Sequence, residues 1–302
     1  MAPKMVTNFR RSLSFPNQPS NNTPKPRKVL HVRSASLPCR THPIISQLKD
    51  ELAELNSWSR AEPSSRTSAW LCDGLTRLKS VHESLDDLLL LPQTRESLRG
   101  GEHSNLIEKL LEDFLRFVDV YGMFQTLVLR LKEDYSAAQI AVRRKDDSKI
   151  VAYSKNLNKI AKEIGKLVSN VVFIGKLTAA PAVPSYDEEA ELIEVINDVV
   201  KVTVLVSVSL FGGISSSLAF RKTTSCMGMN FGLKMKNVIV EGGIREFQEI
   251  NLEILRKEDV KILSKKMHEL EDCVVEIEGC GEKAFRSLIN TRVSLLNVLT
   301  QL

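Results

Sequence analysis

Apolar residues recur along this chain at alternating steps of three and four, the 3.5-residue spacing that lines one helix face and lets helices pack lengthwise. One run is Ile107, Leu110, Phe114, Phe117, Tyr121, Phe124, Val128, Leu131, Tyr135, Ala138 and Val142. A second is Ile150, Tyr153, Leu157, Ile160, Ile164, Leu167, Val171 and Ile174. A third runs from Leu263, Met267, Leu270, Val274 and Ile277 through Gly281 and Ala284 to Leu288, Thr291, Leu295, Val298 and Leu302. Each stripe must be buried, so the pattern predicts an all-α fold: a bundle of long antiparallel helices with coiled-coil-like packing. An intermolecular coiled coil would use the same pattern. Leu111, Leu115, Val118, Val151, Val168, Val172 and Leu296 widen the stripes beyond two positions in seven, which favours an internal bundle.

Polar and helix-breaking residues set the boundaries. A first helix is predicted near 44–58, through Ile45, Leu48, Leu52 and Leu55, before a Ser- and Pro-containing linker at 59–67. The next, near 68–91, carries Leu71, Leu75, Leu78, His82, Leu85 and Leu89 and stops at Pro92, which disfavours the α conformation of the preceding residue. A brief helix over 93–99 ends at Gly100 and Gly101. Helices near 103–144 and 147–178 are joined by the polar stretch from Arg143 to Ser148, short enough for an αα-hairpin. Pro181 and Pro184 break the chain, and Ser185 with Glu188 offers a capping box for a helix near 187–221. Residues 223–243 read as a loop, and the last helix, near 257–301, starts at about Ile244 or Lys257. Its small seam residues Gly281 and Ala284 predict close approach of a partner helix or a kink. Residues 43–302 thus form the bundle. Residues 1–42, with Pro16, Pro19, Pro24, Pro26 and Pro38, predict a disordered basic Ser/Pro-rich arm.

One segment admits a different environment. Nineteen residues between Lys201 and Arg221 carry no charge, near the lower length for a bilayer span. Five serines and two glycines dilute its hydrophobicity, which favours a buried central helix, with a membrane anchor over 202–220 as the alternative. The alternation of Val202, Val204, Val206 and Val208 also fits a strand, although a lone strand lacks a pairing partner.

The net charge of +5 is uneven: residues 1–49 hold nine Lys or Arg and no acid, leaving 33 basic against 37 acidic residues, or −4, in the rest. The basic residues are spread among Ser, Pro and Asn without interleaved aromatics, so no nucleic-acid partner is expected. Five cysteines, an odd number, and no secretory-signal pattern point to a reducing compartment. Cys273 and Cys280, one heptad apart, share a helix face but have no His or third Cys at ligand spacing, so buried thiols are expected rather than a metal or redox site. No phosphate-binding loop, dinucleotide fingerprint, HExxH or nucleophile elbow is present. His31, His42, His82, His103 and His268 are scattered, and His82 reads as a satisfied core residue. No catalytic residue, metal or cofactor is expected; a polar cluster inside the bundle would be the sign of an enzyme.

The candidate functional residues lie in the arm. The pattern Arg-Ser-x-Ser-x-Pro occurs twice, with Arg11, Ser14 and Pro16 in one copy and Arg33, Ser36 and Pro38 in the other. It resembles the phosphoserine motif read by 14-3-3 proteins, and the spacing of 22 residues lets a flexible tail reach both sites of a dimeric reader. The same arm satisfies the loose description of an organelle transit peptide. The expected localisation is cytoplasmic, with membrane or plastid as alternatives, and the expected partners are proteins, including a second copy of the chain.

The stretch from His31 to Pro43, HVRSASLPCRTHP, resembles the opening of the plant-specific BYPASS-type proteins. Leu85 through Thr94, Leu270 to Cys273, and Arg292 to Leu299 (RVSLLNVL) match further features in the expected order. The family has no established biochemical activity and is associated with root and shoot development. The resemblance therefore implies a non-enzymatic regulatory role and carries over no catalytic residue. The roughly 30 residues before His31 and the Gly-containing segment near 212–243 depart from the family pattern.

Overall fold

A computed structural model describes residues 42–62, 65–99, 104–177, 188–219, 243–248 and 259–300. The basic arm with both Arg-Ser-x-Ser-x-Pro copies, the Gly100–Gly101 pair, the Ser185 cap and the 223–242 loop lie outside these residues. The described residues form eight helices: α1 (Pro43–Trp58), α2 (Ser68–Leu90), α3 (Pro92–Arg99), α4 (Ser104–Arg143), α5 (Asp147–Leu177), α6 (Glu188–Leu218), α7 (Arg245–Gln248) and α8 (Val260–Thr300).

Local chemistry sets several of their ends. The Thr67 hydroxyl accepts from Trp70 N–H at 3.2 Å and caps α2. Between α4 and α5, Lys145 takes a left-handed φ of 54°, and the following N–H of Asp146 returns to the Ala141 carbonyl at 2.9 Å. Asp146 then starts α5 by accepting from Lys149 N–H at 3.1 Å. The hairpin expected from the sequence is closed by these bonds.

Every described residue of the three predicted stripes is buried within the one chain. Five long helices form a ring in the order α2, α8, α4, α5, α6, with α6 returning to α2, and α1 lies against α2 and α6. A ring of five cannot alternate up and down all the way round, so one neighbouring pair must be parallel. That pair is α2 with α8: Ser68 faces Cys273, His82 faces Thr291 and Asp86 faces Ser294. The others run antiparallel, as Lys132 with Glu278 and Gln139 with Glu271 show for α4 and α8.

Helix α6, whose second half carries no charge, is the most apolar member of the ring. Val195, Ile196, Val199, Val200, Leu210 and Phe211 are fully buried on it. The Val202 to Val208 stretch is helical here, which satisfies its backbone internally where a lone strand would leave it unpaired. By length and composition α6 is the one described helix able to cross a membrane, and 61% of its apolar window is buried inside the bundle.

The short α7 lies where the sequence offered Ile244 as one start for the last helix, and it ties two helix ends together. Ile244 N–H donates to the Ser217 hydroxyl at 2.6 Å near the end of α6, and Ile244 itself is buried. Arg245 N–H donates to the Arg66 carbonyl, and the Glu246 carboxylate accepts from both the N–H and the hydroxyl of Ser68 at 3.2 Å. Glu246 therefore supplies a second cap to α2, favoured by the positive end of the helix dipole.

Candidate functional site

Inside the ring, α2, α4, α6 and α8 each contribute polar side chains to one buried layer. His82 has no exposed surface, with Nε2 at 3.2 Å from Thr203 Oγ1 and Nδ1 at 3.5 Å from Thr291 Oγ1. Thr203 donates its own hydroxyl proton to the Val199 carbonyl at 2.8 Å, so its oxygen is the acceptor toward His82. Donor accounting then places the imidazole proton on Nε2 and leaves Nδ1 facing the Thr291 hydroxyl. One turn on, Ser207 donates to the Thr203 carbonyl at 2.6 Å and accepts from the Tyr121 hydroxyl at 3.0 Å. Phe114 stands edge-on to His82 with centroids 5.6 Å apart, and Phe211 packs against Tyr121 at 5.4 Å.

Burial sets the ionisation of this layer. It lowers the His82 imidazole to about 3 and raises the Tyr121 phenol to about 12, against the Ser207 bond that lowers it. Asp86, one turn beyond His82, is raised to about 6 by burial, opposed by the hydroxyls of Thr291 and Ser294. His82 is thus neutral across the physiological range and sealed from solvent, which suits a structural bond and not proton transfer.

The ring also gathers three cysteines. The Cys72 thiol on α2 faces the Cys280 thiol on α8, and Cys273 faces Ser68. All three are free, and burial pushes the Cys72 and Cys273 thiols upward. The protonated form is a weak nucleophile. The sequence placed Cys273 and Cys280 on one face but missed Cys72, whose only signal was its place beside Leu71 on the α2 stripe. Among the described residues no group of three or more His, Cys, Asp or Glu could hold a metal ion.

Among the described residues, shallow clefts open to solvent include two. One of about 500 Å³, between the end of α4 and the start of α8, is lined by Gln139, Arg143, Lys261, Ser264, Lys265 and His268. Its charge is partly answered by Glu269 beside Lys265 at 3.6 Å and by Glu271, which accepts from Gln139 at 2.9 Å. The other, about 350 Å³, lies beside Trp58 and Trp70, with Glu54, Asp73 and Arg77 at its edge. Large apolar side chains also remain outside, among them Leu129 and Ile140 on α4, Phe173 on α5, and Val275, Ile289 and Val293 on α8.

These features define a helical-bundle protein whose interior holds a hydrogen-bonded polar layer. The chain belongs to the BPS1 family: the family model described as Protein BPS1 matches residues 74–298, about three quarters of its length. The match covers most of α2 and all of α4, α5 and α6, and it agrees with the plant BYPASS-type resemblance. No curated protein and no solved structure matches the chain.

Proposed function

We propose that this chain is a non-enzymatic helical interaction protein of the plant cytoplasm with a regulatory role, linked through its family to root and shoot development. A polar cluster does lie inside the bundle, the feature that would have favoured an enzyme; what supports the non-enzymatic reading is that its members are paired with one another. His82, Thr203, Thr291, Ser207 and Tyr121 bond one another, and the buried histidine is neutral. The groups left for recognition are on the outer helix faces and in the arm.

In this reading the arm is phosphorylated at Ser14 and Ser36, and Arg11, Arg33, Pro16 and Pro38 complete two 14-3-3 docking motifs. Two tethered phosphoserines engage one dimeric reader with an avidity neither has alone. The test is co-purification of 14-3-3 proteins from plant cells with the tagged full chain and with the Ser14→Ala, Ser36→Ala double variant. Loss of 14-3-3 recovery in the variant is expected; equal recovery overturns the phospho-docking role.

A second reading rests on the length and composition of α6, which would anchor the chain in a membrane. Fractionation of plant cells followed by an alkaline carbonate wash separates the two. Full-length protein in the soluble fraction is expected, wash-resistant membrane association would favour the anchor, and a band shortened by the arm would make that arm a transit peptide.

A further inference from the structure

We infer that the outward face of α8 is a self-association surface that takes a second copy of this chain in antiparallel register. The inference rests on the interaction-protein reading and names one partner. Val275, Gly279, Glu282, Arg286, Ile289 and Val293 recur at steps of four and three, a second seam on the side of α8 away from Ile277, Gly281, Ala284 and Leu288. Val275 and Val293 are 48% and 47% exposed and Ile289 36%, so the seam is at least partly open to solvent. A methyl group added at Gly279 would meet nothing within 4 Å, leaving a slot in the seam. Glu282 and Arg286 pair with each other along the helix, both largely open to solvent.

These six residues complement themselves. Laid against a second α8 running the opposite way, Val275 meets the partner's Val293, Gly279 meets the partner's Ile289, and Glu282 meets the partner's Arg286. All three pairings share one midpoint, residue 284, so a single twofold axis level with Ala284 satisfies them together. Antiparallel helices pair alternate seam positions in this crossed way. The isoleucine enters the glycine slot, the valines pack on each other, and each carboxylate gains a second guanidinium. A parallel register would instead oppose Glu282 with glutamate and Arg286 with arginine, which disfavours it.

The test is sedimentation equilibrium of the full chain over a micromolar concentration series. A species at twice the 33.9 kDa chain mass is expected. Ile289→Asp should shift it to monomer. Glu282→Arg and Arg286→Glu, tested singly, should each weaken association at least tenfold, and the double reversal should restore it. Circular dichroism melts confirm that each variant folds. A wild type that stays monomeric, a dimer indifferent to Ile289→Asp, or a double reversal as weak as the single variants overturns the proposal. None of these outcomes bears on 14-3-3 recovery through the arm, so the two readings fail separately.

Discussion

Replacing Gly74 with alanine tests how tightly α1 is docked on α2. A Cβ at Gly74 would fall 2.2 Å from Trp58 Cζ2, 2.5 Å from Cε2 and 2.6 Å from Cη2, inside any tolerable contact. The indole has little room to yield. It stacks on Trp70 at 4.2 Å with planes 10° apart, and its Nε1 donates to the Trp70 carbonyl at 3.0 Å. Overpacking of this kind costs about 1–3 kcal/mol, and disturbing the stack and its hydrogen bond costs about 1–2 kcal/mol more. Against this, alanine in a helix interior gains about 1 kcal/mol over glycine. The net loss is therefore about 1–4 kcal/mol, or a fall in Tm of roughly 2–16 °C for a domain of this size. Gly122 is the internal control, because a Cβ there meets only Phe285 Cε2 at 3.9 Å, an ordinary contact. Gly122→Ala should raise Tm by about 2–4 °C. Thermal melts followed by circular dichroism and by tryptophan emission suit the test, since both tryptophans of the chain are in this pair. A Gly74→Ala protein that melts no lower than wild type, with unchanged emission, would refute the tight docking of Trp58 on Gly74.

The remaining predictions concern the polar layer and two helix ends. His82 is held below its ordinary value, so acidification protonates the unfolded chain first. Its contribution, on the order of 5 kcal/mol, is present above pH 6.5 and lost as pH falls toward 3. Asp86, raised to about 6, acts the other way: its stabilisation is present below pH 3.8 and lost as pH rises through about 6. Urea unfolding between pH 4 and 7 should thus show acid sensitivity that His82→Gln flattens and Asp86→Asn steepens. Glu246→Ala strands the buried Ser68 N–H and should cost about 1–2 kcal/mol in the same assay, with Glu246→Asp recovering part of it. At Lys145, with φ of 54°, Lys145→Val should lower stability by about 1–2 kcal/mol and Lys145→Gly should leave it level or slightly higher, read from denaturant midpoints.

What could be read beforehand was whatever obeyed a period. Every described stripe residue from Ile107 to Val298 is buried, because burial of a seam is dictated by spacing within the helix itself. The place of His82 followed from the same logic. Gly281 was legible as a small seam residue, and the structure sets the Phe124 ring against it, where a Cβ would lie 3.5 Å from Cε1. What escaped depended on contacts between distant segments. Period alone does not reveal that α2 and α8 run parallel, that Cys72 faces Cys280, or that Glu246 caps a helix 178 residues earlier in the chain. The outer seam of α8 was hidden for another reason: Glu282 and Arg286 interrupt its apolar character, and only exposure on both flanks reveals its spacing.

The parallel pairing of α2 with α8 also governs the order in which the protein can mature during synthesis. The stripe on α2 and one side of α4 are complete long before their cover is translated, since α8 follows them by more than a hundred residues. A nascent chain that has emerged through α6 is an open ring, with apolar seams facing water and at risk of pairing with other chains. Closure waits for the final 41-residue helix, so a premature stop anywhere before Val260 yields an unclosed ring, not a smaller folded protein. Such truncated products should depend on chaperones or be degraded, while the finished chain closes over its own core.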